Sequence, residues 1–260
     1  MDEDAPRMSD EHQIDFLKTY QVCRTGFFFL AIGLVPACFL NLLYLVGQLG
    51  DHRIILWLNQ TGWSDVVATT TPWATLAGST LLWNCWNHPG WRRRAGLLMT
   101  MCLIDVGIWF LDQGDVQVLG GGAWLRHQFG NALGWAELAL LASLSGDYLT
   151  HLGIEQADES SKSTRSLAAT GAIVWMLLFC EITDFKGGWP LQRNPQITVH
   201  ARLLWMGEEL IGAICLIQAT ALIVAATRES NQAVLELQSE RSEEDRHVLP
   251  SQPNQPMELL

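Results

Sequence analysis

Two carboxyl side chains lie where a membrane helix tolerates charge least. Asp105 falls near the centre of the apolar stretch 95–113, and Glu137 falls near the centre of the stretch 128–146. The apolar residues on either side of each acid are too few to cross the membrane alone, because a hydrocarbon core about 30 Å thick needs about 20 residues of helix. A charged group at a helix centre costs about 2.5–3.5 kcal/mol on insertion scales. Neither acid can lie at the membrane–water interface while its helix still spans the membrane, so the position of each acid in the hydrocarbon core needs an explanation.

The chemistry open to these two acids follows from the absence of a basic partner. No lysine or arginine lies within the apolar stretches, so neither carboxylate has an evident ion pair. The cost is relieved when such an acid takes up a proton, coordinates a cation or faces water, and proton relays and cation pathways use all three states. We therefore predict that Asp105 and Glu137 form a central proton- or cation-binding site. The competing interpretation is structural, with the protonated side chains hydrogen-bonding across a helix bundle.

A second group of acids lies nearer one membrane surface. Glu208 and Glu209 precede the uncharged run 210–227, which is long enough to span without them, so both can sit at the rim. The other members of this group lie close to the outer ends of predicted helices. We predict that the group forms an outer acidic vestibule, made of Asp112, Glu181, Asp184, Glu208 and Glu209.

Two alternatives belong to other functional classes. His127 and His200 are predicted on the same outer side as the vestibule acids, and imidazole with carboxylate suits Fe or Zn, which indicates a membrane-embedded metal or haem enzyme. The chain contains no H-E-x-x-H motif and no other motif that implies a specific cofactor, so we favour a non-enzymatic function. The third hypothesis is a non-catalytic membrane subunit or scaffold whose tails dock partner proteins.

The elements that position these acids are six apolar stretches, each long enough to span a membrane as a helix. They predict an all-α fold, a polytopic membrane bundle of six transmembrane helices in one domain over residues 25–227. The predicted spans are residues 25–50, 66–91, 95–113, 128–146, 166–185 and 203–227.

The distribution of basic residues predicts the orientation of this bundle. With the amino terminus inside, the outer segments contain only Arg53, Arg126, Lys186, Arg193 and Arg202, whereas every other lysine and arginine falls in an inner segment. Basic residues favour the cytoplasmic side when they lie in short loops and flanks. We therefore predict a multi-pass protein of the plasma (inner) membrane with both termini in the cytoplasm.

Charge outside the spans is mainly acidic. The net charge of −11 arises largely from the two ends of the chain, residues 1–24 and 228–260. We predict an acidic cytoplasmic segment at the amino end and a largely disordered cytoplasmic tail at the carboxyl end. Nothing in this charge distribution indicates nucleic-acid binding, and we expect no nucleic acid among the partners. The expected partners are the lipid bilayer, with anionic headgroups at Arg92, Arg93 and Arg94, and a second copy of the chain or another membrane subunit.

The six cysteines show no C-x-x-C spacing, and five of them lie within apolar runs. Free cysteine in such surroundings behaves as a small apolar residue. The sequence therefore predicts buried, inert thiols without a redox or metal role.

Overall fold

The computed structural model describes residues 10–50, 52–86, 88–113, 122–182 and 199–248. Over these residues the chain is all-helical and contains no strand, so the prediction of an all-α fold is confirmed. The seven helices are α1 (Asp10–Leu49), α2 (His52–Thr61), α3 (Trp63–Cys85), α4 (Pro89–Gln113), α5 (Gly122–His151), α6 (Gln156–Ile182) and α7 (Val199–Val248).

Four of these helices contain a segment long and apolar enough to cross a membrane: Leu17–Leu49 in α1, Pro89–Leu111 in α4, Gln156–Cys180 in α6 and Leu203–Glu240 in α7. About 20 apolar residues in one helix match the hydrocarbon thickness of a bilayer. Four such segments in one chain of this size are typical of a membrane protein and not of a soluble domain. The chain is therefore a helical membrane protein. The other two predicted spans lie on α3 and α5, which carry more polar residues.

Two boundaries differ from the sequence prediction near the first loops. The predicted span 66–91 is divided, because α3 ends at Cys85, Trp86 is extended and α4 begins at Pro89. Proline suits the first position of a helix, where its missing N–H is not needed. The connector after α1 also contains the short helix α2, which ends at Thr61. Gly62 separates α2 from α3 and has φ +70°, a conformation that favours glycine.

The carboxyl-terminal tail also differs from its prediction. We predicted that residues 228–260 are largely disordered, but α7 continues as one helix to Val248. The extension is held against the bundle, because Ser230 hydrogen-bonds to the hydroxyl of Tyr148 (2.8 Å) and Val234 is buried. Tertiary contacts of this kind stabilise the first turns of the helix beyond the membrane-spanning residues.

The six long helices form a closed ring in chain order, in which each helix packs against the next and α7 returns to α1. Helix α5 also contacts α7 across this ring, which divides the interior into two parts. The larger hydrophobic core lies mainly among α1, α3, α4, α5 and α7, with Ala157 at the start of α6, and a smaller one lies among α5, α6 and α7.

Helices α1 and α3 approach most closely at paired small residues. A Cβ atom added at Gly78 would lie 2.7 Å from the carbonyl oxygen of Gly26. Small residues are the usual means of close helix packing in lipid, where no hydrophobic force draws helices together. The same helix pair carries a disulfide between Cys23 and Cys85, with a Cα–Cα distance of 5.6 Å.

This disulfide corrects the prediction of six inert thiols. Cys23 and Cys85 are 62 residues apart, and nothing in their spacing indicates that α1 and α3 bring them together. Of the four free cysteines, Cys102 and Cys215 are buried, whereas Cys180 is exposed.

The ring has two chemically distinct ends. At the end where α4 begins and α5 ends, Arg94 forms an ion pair with Asp147. The other basic residues of α4 and α6 belong to the same end: Arg92, Arg93, Lys162 and Arg165. We call this the basic end. At the opposite end α7 begins, with Glu208 and Glu209 in its first turns, and we call this the acidic end.

Candidate functional site

The carboxyl groups of Asp105 and Glu137 hydrogen-bond to one another between α4 and α5. The two helices are consecutive and antiparallel, so a residue near the middle of one faces the middle of the other. A hydrogen bond between two carboxyl groups requires a proton on one of them, and the proton belongs to the pair rather than to either residue. The structure thus brings together the two acids that the sequence places deepest in the membrane.

A line of buried polar side chains connects this pair to α3. Cys102, one turn before Asp105 on α4, lies within hydrogen-bonding distance of Glu137 and of the hydroxyl groups of Thr75 and Ser79. Ser79 is 0% exposed and Cys102 is 1% exposed, so the line runs through the interior of the larger core. Sequence reasoning missed this connection, although the hydroxyl side chains at 71, 75 and 79 share one face of α3 and are its signal.

One oxygen atom of the carboxyl pair can accept a further hydrogen bond. Oε1 of Glu137 is buried and accepts no hydrogen bond from the described residues, and the indole Nε1 of Trp109, one turn beyond Asp105, likewise has no partner among them. Buried polar atoms are nearly always paired, and the exceptions commonly mark a functional group or a water site. The carboxyl pair therefore has an acceptor oxygen on α5 without a described partner, and Trp109 has a donor N–H without a described partner one turn beyond Asp105 on α4.

The acidic end contains a cavity of about 470 Å³ between α1, α5, α6 and α7. The indole N–H of Trp135 donates a hydrogen bond to the Glu208 carboxylate. The Trp135 ring is seated on Gly171 of α6, where an added Cβ would lie 2.3 Å from it, and on Gly212 of α7. The lining consists of both glutamates, two asparagines, two tryptophans and small or apolar residues: Asn41, Gly130, Asn131, Gly134, Trp135, Leu138, Leu178, Trp205, Glu208, Glu209, Gly212 and Leu216.

Two of the five predicted vestibule residues, Glu208 and Glu209, line this cavity. Asp112 and Glu181 lie on α4 and α6, but their side chains are not among those that the structure describes, and Asp184 lies outside the described residues. The structure therefore groups the adjacent glutamates, and the complete acidic ring stays a prediction.

Helix α5 separates the cavity from the carboxyl pair. Asn131, Trp135 and Leu138 lie on its cavity face, whereas Glu137 points towards α4. The polar features of the molecule thus form two neighbouring sites on opposite faces of one helix, which spacing along the sequence does not reveal.

The two histidines of the metal hypothesis are not brought into a described site. His200 is exposed near the start of α7, and His127 lies on α5 with a side chain outside the described set. In the part of the chain that the structure describes, no group of three or more His, Cys, Asp or Glu residues could hold a metal ion. The metal or haem enzyme stays an untested prediction.

The arginine triplet at the basic end is engaged with other protein groups at two of its three positions. Arg94 pairs with Asp147 and donates a hydrogen bond to Ser143 Oγ (2.7 Å). The guanidinium of Arg92 lies 5.7 Å from the centre of the Trp83 ring, within range of a cation–π interaction. The triplet is therefore partly a structural feature of the fold.

Comparisons of this chain with protein-family models, curated proteins and solved structures find no match.

Proposed function

We propose that this membrane protein is a small proton- or cation-linked transporter or channel, in which Asp105 and Glu137 form the central binding site. The observation that carries the proposal is the hydrogen bond between these two carboxyl groups, next to the unpaired Oε1 of Glu137. A pair that shares one proton can exchange it for a cation without adding net charge to the bilayer. Intramembrane acids of this kind mark ion pathways and proton relays.

The proposed architecture has six spans, with α3 and α5 crossing the membrane alongside the four more apolar helices. The polar side chains of these two helices support their placement in the membrane, because they are buried in the bundle. They are Thr75 and Ser79 on α3, and Ser143 and Ser145 on α5. Polar residues that face neighbouring helices do not meet lipid and lower the cost of a span.

The proposed orientation has both termini in the cytoplasm of the plasma (inner) membrane. It rests on the basic end, which contains Arg24, Lys162 and Arg228 as well as the arginine triplet. In this orientation the cavity with Glu208 and Glu209 opens towards the outside and is the proposed outer acidic vestibule, on the opposite face of α5 from the carboxyl pair.

Flux through the purified protein in liposomes tests this function. The double variant Asp105→Asn/Glu137→Gln keeps a hydrogen bond between the two side chains but removes the exchangeable proton. We expect it to abolish proton flux, measured with an enclosed pH-sensitive dye, and flux of Na⁺ or K⁺, measured with ion-sensitive dyes. The control is Glu236→Gln, an exposed acid on the α7 extension, which should transport like the wild type.

The same variants separate a functional pair from a structural one. If the double variant transports as well as the wild type and its thermal midpoint falls, the carboxyl pair only holds α4 against α5. Loss of flux with an unchanged thermal midpoint supports the proposed site.

A further inference from the structure

A groove of about 550 Å³ runs along the surface of the ring between α1 and α7 at the basic end. Each helix contributes one face to it, and the two helices are antiparallel. The lining residues on α1 are Arg24, Thr25, Phe28 and Ala31, and those on α7 are Val224, Thr227, Arg228 and Asn231.

The groove changes from polar to apolar along its length. Arg24 Nη1 donates a hydrogen bond to Asn231 Oδ1 at 3.3 Å, which fixes the two helices side by side at this level. One to two turns deeper along each helix the lining consists of Phe28, Ala31 and Val224, and the side chains of Phe28 and Val224 are 51% and 45% exposed. The polar part therefore lies towards the membrane surface, and the apolar part continues into the hydrocarbon.

The charge in the polar part is uncompensated by the described protein. Neither Arg24 nor Arg228 forms an ion pair with a carboxylate among the residues that the structure describes. This distinguishes the groove from the triplet at 92–94, where Arg94 is paired with Asp147. Guanidinium groups bind phosphate oxygens through two parallel hydrogen bonds and are the preferred partners of phosphate in proteins.

We propose that the groove binds an anionic glycerophospholipid, with its phosphate between Arg24 and Arg228 and an acyl chain over Phe28, Ala31 and Val224. The two guanidinium groups match the headgroup charge, and the exposed apolar lining matches the chain. The site rests only on the membrane location of the chain and is independent of the proposed role of Asp105 and Glu137.

Lipid titration of the intact protein in detergent tests the site. Native mass spectrometry measures the occupancy of phosphatidylglycerol, and phosphatidylcholine provides the zwitterionic comparison. A basic residue near a membrane surface adds about 1 kcal/mol for anionic lipid, so we expect Arg24→Gln and Arg228→Gln each to weaken phosphatidylglycerol binding about 5-fold and the double variant about 30-fold. Phosphatidylcholine occupancy should not change.

The matched control removes the same charge from the same end. Lys18→Gln/Lys162→Gln, at two exposed positions outside the groove, leaves the groove intact, and we expect its phosphatidylglycerol binding to stay within about twofold of the wild type. Equal weakening by the two double variants would mean that the lipid responds to the net charge of the basic end, and the groove would be rejected as the site.

A third variant tests the acyl-chain half of the groove without changing charge. Val224 is exposed towards lipid, so Val224→Trp fills the apolar part without disturbing the core. We expect it to weaken phosphatidylglycerol binding by at least about 5-fold. If sn-glycerol 3-phosphate or inorganic phosphate displaces the lipid at equal concentration, or if Val224→Trp has no effect, the groove is a free-anion site and the proposal fails.

Discussion

At the scale of single residues, the environment of each acid matters more than its position in the sequence. Glu208 and Glu209 interrupt an apolar run, but Glu208 receives a hydrogen bond from Trp135 and both line a cavity. Glu137 lies deeper and retains a buried oxygen without a partner. Leaving a buried polar group unpaired costs about 1–3 kcal/mol, so this atom is the stronger indication of a binding site.

Trp135 depends on a glycine of the neighbouring helix. In Gly171→Ala the new Cβ would lie 2.3 Å from the Trp135 ring, so the ring or α6 must move. We expect the free energy of unfolding to fall by about 1–3 kcal/mol, as overpacked cores do, measured as a lower thermal midpoint in detergent. Gly107→Ala is the control because its Cβ would meet nothing within 4 Å. A Gly171→Ala midpoint at or above that of the control would contradict this placement of Trp135.

The cavity can be filled without a steric cost elsewhere. A Cβ at Gly134 meets no atom within 4 Å, so Gly134→Leu places its side chain in the cavity next to Glu208 and Glu209. If this cavity is the outer vestibule of the transport pathway, flux in liposomes should fall by about tenfold or more, since the added volume removes space for water and ions. The Gly107→Leu variant, which adds the same side chain to an exposed face of α4, should transport normally. Equal flux in both variants would exclude the cavity from the pathway.

At the scale of elements, α1 and α3 are joined covalently as well as by packing. The two helices pack through Gly26 and Gly78 and share the Cys23–Cys85 disulfide. The bond lies at the basic end, which the proposed orientation places in the cytoplasm, where thiols are normally kept reduced. The burial of both cysteines shields their sulfur atoms from soluble reductants. Whether the disulfide is formed in the purified protein can be tested directly.

Thiol alkylation followed by mass spectrometry determines the state of this pair. We expect Cys23 and Cys85 to resist alkylation in the denatured protein until a reductant is added, whereas the free cysteines, such as Cys180, react at once. Cys23→Ala/Cys85→Ala should lower the free energy of unfolding by about 2–4 kcal/mol because the cross-link closes a long loop. The control Cys180→Ala should not change it. Alkylation of Cys23 and Cys85 without reductant would show that they are free thiols.

At the scale of the whole molecule, the two ends of the ring determine how it sits in a membrane. The basic end contains most of the described positive charge, and the acidic end contains the cavity with its two glutamates. Single cysteines added to a cysteine-free background at Arg93 and at Gln60 report the two ends, because both positions are exposed.

The proposed orientation makes a clear labelling prediction. In intact cells a membrane-impermeant maleimide should label Gln60→Cys, and it should label Arg93→Cys only after the membrane is permeabilised. The reverse pattern would invert the topology and would place the Cys23–Cys85 disulfide in an oxidising compartment. Labelling of both positions in intact cells would contradict the spanning arrangement itself.

The amino-acid sequence by itself determines the helical membrane class and the acids that must be explained. Hydrophobic length and the absence of basic residues in the apolar stretches are properties of composition, and they carry over to any packing of the helices. For this reason the sequence identifies Asp105 and Glu137 as the two acids that cannot lie at the membrane–water interface. It does not place the end of α7 at Val248 or show that Ser230 and Val234 contact the bundle, because tertiary contacts are not visible in local composition.

Only the tertiary structure decides which polar groups meet. Cys102 with Glu137, Trp135 with Glu208, Arg94 with Asp147 and Cys23 with Cys85 each join residues from different helices. The rotation of a helix about its axis sets these pairs, and that rotation follows from packing at small residues such as Gly171 and Gly78 rather than from hydropathy. The separation of the carboxyl pair from the acidic cavity by α5 has the same origin, since residues 135 and 137 point to different faces of one helix.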